Sequence, residues 1–145
     1  MLTVVERHRA TREFISAGNA TFTIETPEQR WTFRFRRVED EGRKPITFVN
    51  LLTGPDNEAD YTYVGVFDTF TEQVKTTRAS KFAQDSLMVR ALNRVLLRVW
   101  QNDHETMEAH GWRIYHEGKC GRCGRTLTVP ESIKSGFGPE CVKHQ

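Results

Sequence analysis

The chain has 145 residues, of which 21 are lysine or arginine and 19 are aspartate or glutamate, so its formal net charge is +2. This balance excludes a strongly cationic nucleic-acid coat protein, and nine phenylalanines with three tryptophans and three tyrosines exclude a disordered low-complexity chain. The length fits one domain, or one domain with a small appendage. No run approaches the roughly 20 apolar residues of a membrane helix, and residues 1–14 lack the apolar core of a signal peptide. We therefore expect a cytoplasmic protein with no membrane partner.

The first predicted element is an N-terminal helix over residues 3–17. Thr3 and Glu6 have the spacing of a capping box, and Gly18 is a plausible helix stop. The apolar stripe of this segment is modest. The prediction therefore depends mainly on its two ends.

Four strands are predicted next, at residues 21–25, 30–36, 46–52 and 61–67. The first two alternate between apolar and polar side chains and are joined by a turn at 26–29, which indicates a hairpin. Polar, turn-rich stretches separate the later strands. Four consecutive strands of this kind favour an antiparallel meander with one buried face.

A long helix is predicted over residues 81–100, because apolar residues recur there at steps of three and four. Three arginines of this segment, Arg90, Arg94 and Arg98, fall on the opposite side of the predicted helix. A polar connector then runs to Gly111, and residues 112–115 are predicted to form a short strand that leads into the cysteine region.

Together these elements predict an α+β fold: an N-terminal helix, an antiparallel sheet of about four strands packed against a long helix, and a C-terminal zinc knuckle. We place the α+β domain at residues 1–111 and the zinc-binding knuckle or ribbon at residues 112–145. The knuckle is too short and polar to be stabilised by core burial alone, so a bound metal is expected to order it.

All three cysteines of the chain lie in its last 26 residues. Together with a histidine they form two pairs of potential metal ligands with the same spacing. Cys120 and Cys123 form a Cys-x-x-Cys pair, and Cys141 and His144 form a second pair. Pro139 suits the first turn of a short helix that would direct the second pair toward one point. The spacing predicts a closed, structural Zn²⁺ site of the Cys₃His type rather than a catalytic one.

A second histidine competes for the fourth ligand position. His116 lies four residues before Cys120, at the end of the predicted strand. In a four-coordinate site, either His116 or His144 is not a ligand. Spacing favours His144.

The segment from His116 to Cys141 contains Cys-Gly-Arg-Cys-Gly-Arg, Leu-Thr-Val-Pro-Glu-Ser and Gly-Phe-Gly-Pro-Glu-Cys, in that order. It resembles a zinc-ribbon-like domain family of unknown function that is widespread in bacteriophage, prophage and mobile-element proteins. Residues 48–65 also resemble the N-terminal part of longer family members. The resemblance implies a phage or mobile-element origin and a metal site at the three cysteines, with no assigned activity. Its relatives more often retain the His-Glu-Gly lead-in, which makes His116 nearly as good a ligand candidate as His144.

Nucleic-acid recognition is the function that we expect first. Basic side chains surround the cysteines, and the strand at 30–36 interleaves arginines with aromatic residues, a composition that suits phosphate contact and base stacking. The competing interpretation is that these aromatic residues pack in the core and the arginines are a solvated face. The candidate contact residues are Arg122, Arg125, Arg34, Arg36, Arg90, Arg94 and Arg98.

The alternative function is binding to a host protein, for example as an inhibitor of a defence system such as a CRISPR effector. Acidic stretches such as residues 56–60 can imitate DNA phosphates, although a polar loop between two strands is the better explanation of them. Catalysis is not expected. The chain has no His-Glu-x-x-His motif, no phosphate-binding glycine loop and no cysteine outside the metal cluster.

Overall fold

A computed structural model of the chain describes residues 8–56 and 59–116. Within these residues the main element is a seven-stranded sheet in which all neighbouring strands are antiparallel, in the order β1-β7-β2-β3-β4-β5-β6. The strands are β1 His8–Arg9, β2 Asn19–Glu25, β3 Arg30–Val38, β4 Ile46–Leu52, β5 Tyr61–Asp68, β6 Gln73–Lys75 and β7 Arg113–His116. The helices of this part of the chain are α1 Arg12–Ile15, α2 Leu87–Trp100 and α3 His104–Ala109.

The core lies on one face of the sheet. The alternation of buried and less buried side chains along β3 shows which face this is. Phe22 of β2 lies opposite Phe33 of β3, which in turn lies opposite Leu51 of β4, and all three are buried. Two residues further along β3, Phe35 lies opposite Val49, and neither is more than 1% exposed. Successive strand residues point to opposite faces, so the polar residues between these positions point away from the core.

Helix α2 packs on the core face of the sheet. Its apolar residues recur every three to four positions and form a buried stripe of Met88, Val89, Ala91, Leu92, Val95, Leu96 and Val99. Trp100, at its end, packs on Phe67 of β5 with ring centroids 5.4 Å apart. Burial of this stripe against the sheet is the main stabilising term for the helix.

The sheet edge at β6 is closed by side chains of the segment that follows it. The N–H of Val74 donates to Oδ1 of Asn93 at 2.7 Å, and the carbonyl of Val74 accepts from Nδ2 of the same residue at 3.1 Å. The amide of Asn93 thus takes the two hydrogen bonds that a further strand would take. Gln84 donates to the same carbonyl at 3.1 Å.

The α+β fold class expected from the sequence is wrong. The described residues form mostly an antiparallel sheet of seven strands rather than about four, with three short helices. The long helix predicted over 81–100 begins only at Leu87, because residues 81–86 lack the apolar stripe and instead make turn hydrogen bonds. The sheet therefore dominates the architecture.

The predicted N-terminal helix also differs from the structure in the described residues. Residues 3–7 lie outside them, while His8 and Arg9 form a strand that pairs with β7. A helix of four residues, α1, follows, and Thr11 caps it by accepting a hydrogen bond from the N–H of Phe14 at 3.3 Å. Pairing with β7 replaces the expected helix at these two residues.

The four predicted strands are confirmed as β2 to β5, with ends that differ by no more than two residues. The connector after α2 contains the unpredicted helix α3, capped by Asp103. The strand predicted over 112–115 is confirmed as β7, and it lies inside the sheet between β1 and β2. The division into domains at residue 111 stays a prediction, because residues 117–145 lie outside the described part. Across the described ranges, no helix is long and apolar enough to cross a membrane.

Candidate functional site

The face of the sheet that points away from α2 carries a mixture of basic and aromatic side chains, and we call it the distal face. Its central strand is β3, whose polar residues alternate with the buried aromatic residues. Neighbouring strands complete it. The residues of the distal face on β3, β4 and β5 are Arg30, Thr32, Arg34, Arg36, Phe48, Asn50, Leu52, Tyr61 and Tyr63.

Strand register places the arginines of β3 beside aromatic rings of β4 and β5. Arg36 lies opposite Phe48, and the Phe48 ring packs near Tyr63 with centroids 6.2 Å apart. The guanidinium carbon of Arg34 lies 4.0 Å from the centroid of the Tyr61 ring, which is a cation–π contact. Arg36 is exposed and the three rings are half-buried. The arrangement offers cationic groups and aromatic surfaces on one face.

A shallow cavity of about 420 Å³ lies at one end of the distal face. Its lining includes threonines of β2 and β3 and the side chains of Tyr61 and Tyr115, whose hydroxyl oxygens are buried. Two of these threonines, Thr23 and Thr32, share a hydrogen bond of 2.8 Å between their hydroxyls across the strands. Arg30 also lines the cavity, so its walls combine hydrogen-bonding groups with a positive charge.

The structure separates the two predicted groups of arginines in the described chain. Arg34 and Arg36 point from the distal face, whereas the arginines of α2 point away from the buried stripe on the other side of the sheet. Arg90 and Arg94 are exposed, and Arg98 forms an ion pair with Asp103 at 3.2 Å. The two groups therefore do not form one continuous basic surface. Arg122 and Arg125 lie outside the described residues.

His116, the one candidate metal ligand in the described part of the chain, is buried at the end of β7. It lies opposite His8 in the β1–β7 ladder, with ring centroids 5.4 Å apart, and stacks on Phe14 at 4.4 Å. Burial, with a smaller contribution from His8, lowers the pKa of His116 from 6.5 to about 4. The imidazole is therefore neutral at neutral pH, which is the form that binds a metal.

The donor set expected for Zn²⁺ can be tested only at this histidine. A buried, neutral imidazole four residues before Cys120 fits a ligand of a structural site. The remaining predicted ligands, Cys120, Cys123, Cys141 and His144, lie outside the described residues. In residues 8–56 and 59–116, no group of three or more metal-ligating side chains is present. The choice between the two histidines stays a prediction.

Several residues of the distal face were not predicted from the sequence. Strand β4 is apolar at Phe48 and Leu52 on one face and at Val49 and Leu51 on the other, so alternation does not tell which side is buried. Only the pairing with β3 assigns Phe48 to the face of the arginines. The tyrosines of β5 follow from its pairing with β4.

A family model matches the C-terminal end of the chain. A family of unknown function (DUF6011) covers residues 114–145, which is less than a quarter of the sequence. No curated protein and no solved structure matches the chain. The resemblance of the tail to a family of unknown function is thus confirmed at that level, while its phage association and its zinc-ribbon character stay predictions.

Proposed function

We propose that the protein is a non-catalytic accessory protein of a phage or mobile element that binds nucleic acid through the distal face. The observation that carries this proposal is the register of Arg36 against Phe48, which places a cation and an aromatic ring side by side on one face of the sheet. Single-stranded nucleic acids are bound by such combinations, with phosphates on the cations and bases stacked on the rings. A structural Zn²⁺ held by the C-terminal cysteines would order the tail that carries Arg122 and Arg125.

Charge and ring contacts support single strands over duplexes as the ligand. The half-buried rings of Phe48 and Tyr63 lie on a sheet surface, where unpaired bases can reach them and stacked base pairs cannot, whereas Arg34 covers one face of the Tyr61 ring. Three arginines of β3 lie on that same surface. If all three contact phosphates, the logarithm of the binding constant should fall against the logarithm of salt concentration with a slope of about −2.

The proposal is tested by fluorescence anisotropy with labelled single- and double-stranded DNA and RNA at several salt concentrations. Arg36→Ala should weaken single-strand binding and reduce the salt slope by about 0.7, because one phosphate contact is lost. Arg90→Ala is the matched control, since it removes an exposed arginine on the other side of the sheet. Equal effects of the two variants would show that only overall charge matters and would refute the proposed surface.

A second variant separates stacking from charge. Phe48→Ala should weaken binding by about 1–3 kcal/mol for one lost base contact while the salt slope stays unchanged. Phe48→Leu retains most of the apolar volume and controls for repacking of the half-buried position. Unchanged affinity in Phe48→Ala, with the fold intact by circular dichroism, would remove the stacking part of the proposal.

A protein partner is the second candidate function, and exposed apolar residues at one end of the sheet favour it. Val38 and Ile46 form a cross-strand pair and are 40% and 47% exposed. Phe70, in the turn between β5 and β6 at the same end, is 94% exposed. Absence of binding to any nucleic acid at low salt would favour this candidate, a host defence protein being the first partner to test.

A further inference from the structure

A cleft of about 290 Å³ lies between α2 and α3, on the other side of the sheet from the distal face. Arg94, Arg98 and His110 line one part of it, and Val95, Met107 and Trp112 line the rest. Its volume is near the lower end of the range for small-ligand sites, about 300 Å³. The cleft therefore combines three basic side chains with an apolar wall in a space that fits a small ligand.

The guanidinium of Arg98 is held in place by an ion pair with Asp103. Asp103 accepts from Nη1 of Arg98 at 3.2 Å and from the backbone N–H of Thr106 at 3.3 Å. Hydrogen bonds from Thr106, and then the charge of Arg98, lower the pKa of Asp103, so this carboxylate stays ionised and fixes the guanidinium. The remaining N–H groups of Arg98 can donate to a ligand.

The imidazole of His110 is oriented in the same way. Its Nδ1 lies 2.9 Å from the carbonyl oxygen of Thr106. A carbonyl only accepts, so Nδ1 carries the hydrogen and Nε2 is the atom left for other contacts. Anchoring one ring nitrogen on the backbone fixes the plane of the ring at the edge of the cleft.

Arg94 supplies a cation that the described part of the chain does not neutralise. It lies one helical turn before Arg98, on the same side of α2, and is exposed. No ion pair of Arg94 occurs within the described residues. With Asp103 already paired to Arg98, the cleft has an excess of positive charge and suits an anion.

We propose that this cleft binds a nucleotide, with its phosphate on Arg94 and Arg98 and its apolar ring surface against Trp112. Guanidinium groups match the geometry of phosphate oxygens, which favours a phosphate over other anions. Val95 and Met107 are already buried in the core, but the ring of Trp112 is only partly buried; a bare phosphate would leave that ring uncovered, whereas the base of a nucleotide covers it. The site is separate from the distal face and does not depend on the function proposed for that face.

The test is isothermal titration of the full chain with AMP, adenosine and inorganic phosphate. AMP should bind more tightly than either of its parts, and Arg94→Ala should weaken AMP binding by at least about tenfold while it leaves adenosine binding unchanged. Arg90→Ala is the matched control: Arg90 is an exposed arginine one turn earlier on α2 and does not line the cleft. The Arg90→Ala variant should bind AMP with the same affinity as the unchanged protein.

Three results would overturn the inference: no binding of AMP at millimolar concentration, equal losses in Arg94→Ala and Arg90→Ala, or equal affinities for AMP and phosphate. The phosphate could belong to a free nucleotide or to the end of a strand. A 5′-phosphorylated dinucleotide that competes with AMP identifies a strand end, and failure to compete identifies a free nucleotide. Arg94→Ala should leave the binding of an oligonucleotide without a terminal phosphate unchanged, whereas Arg36→Ala should weaken it, so the two proposals fail separately.

Discussion

Replacement of Asn93 by alanine removes the side chain that closes the β6 edge of the sheet. In the structure, the amide of Asn93 accepts from the N–H of Val74 and donates to its carbonyl. Val74 is fully buried, so water does not replace the lost acceptor without local opening. The carbonyl retains its second partner, Nε2 of Gln84, and the N–H loses the acceptor just described.

The magnitude follows from these contacts. Leaving a buried N–H without its acceptor costs about 1–3 kcal/mol, and the lost bond to the carbonyl costs less because Gln84 remains. Alanine in the middle of α2 recovers about 0.5 kcal/mol, since its helix propensity exceeds that of asparagine. The free energy of unfolding of Asn93→Ala should therefore fall by about 1–2 kcal/mol.

Urea unfolding followed by circular dichroism measures this difference. Gln84→Ala is the control. It removes one bond to the same carbonyl and two bonds that Thr76 donates to Oε1 at 2.8 and 3.2 Å, and its effect should be smaller because water can replace the amide of this exposed residue. An unchanged free energy of unfolding, or an equal loss in Gln84→Ala, would refute this account of the edge.

Three further changes test the core, the buried histidine and the tail. Gly65→Ala should lower the free energy of unfolding by about 1–3 kcal/mol, because the added Cβ would lie 2.2 Å from the carbonyl oxygen of Lys75; urea unfolding without loss would contradict this. The pKa of His116 is about 4 in the folded protein, against an ordinary value of 6.5. As the pH falls, this histidine is therefore protonated in the unfolded state before it is protonated in the folded state. Stability should be full above pH 6.5 and fall by about 3 kcal/mol toward pH 4, measured with EDTA present, and His116→Phe should remove much of that dependence. Cys120→Ser should lower the zinc content measured by atomic absorption, and an unaltered content would exclude this ligand.

The strands of the meander were predictable because each has its own local signal. In β3, Trp31, Phe33 and Phe35 alternate with polar residues, and that period belongs only to a strand with one buried face. The pairing of β2 with β3 followed from the short turn between them. Here local pattern and tertiary structure agree.

The short elements were not predictable, since tertiary pairing creates them. Strands β1 and β6 have two and three residues, too few for a period to be visible. His8 and Arg9 are extended because their backbone pairs with β7. The positions of Thr3, Glu6 and Gly18 had instead predicted a longer helix. The predicted fold class was wrong for this reason: strands β1 and β6 pair at the two edges of the sheet, and the described helices are shorter than the predicted ones.

The candidate sites were predictable only in part. Alternation in β3 predicted that Arg34 and Arg36 share a face, but only strand register shows that Phe48 lies beside Arg36. Helical period likewise put Arg94 on the outer side of α2. The cleft beside Arg94 is formed only because α3 follows, with Asp103 as its N-cap. This helix lies in a segment that was predicted to be a polar connector.

Nucleic-acid binding by the distal face is tested most directly by a map of backbone amide chemical shifts during titration of the full chain with a short single-stranded oligonucleotide. If nucleic acid binds the distal face, the largest changes occur along β3, β4 and β5, centred on Arg36, Phe48 and Tyr63, and Arg90 on α2 shows little change. Changes confined to α2, or to the exposed end of the sheet around Phe70, would contradict a nucleic-acid interface on the distal face.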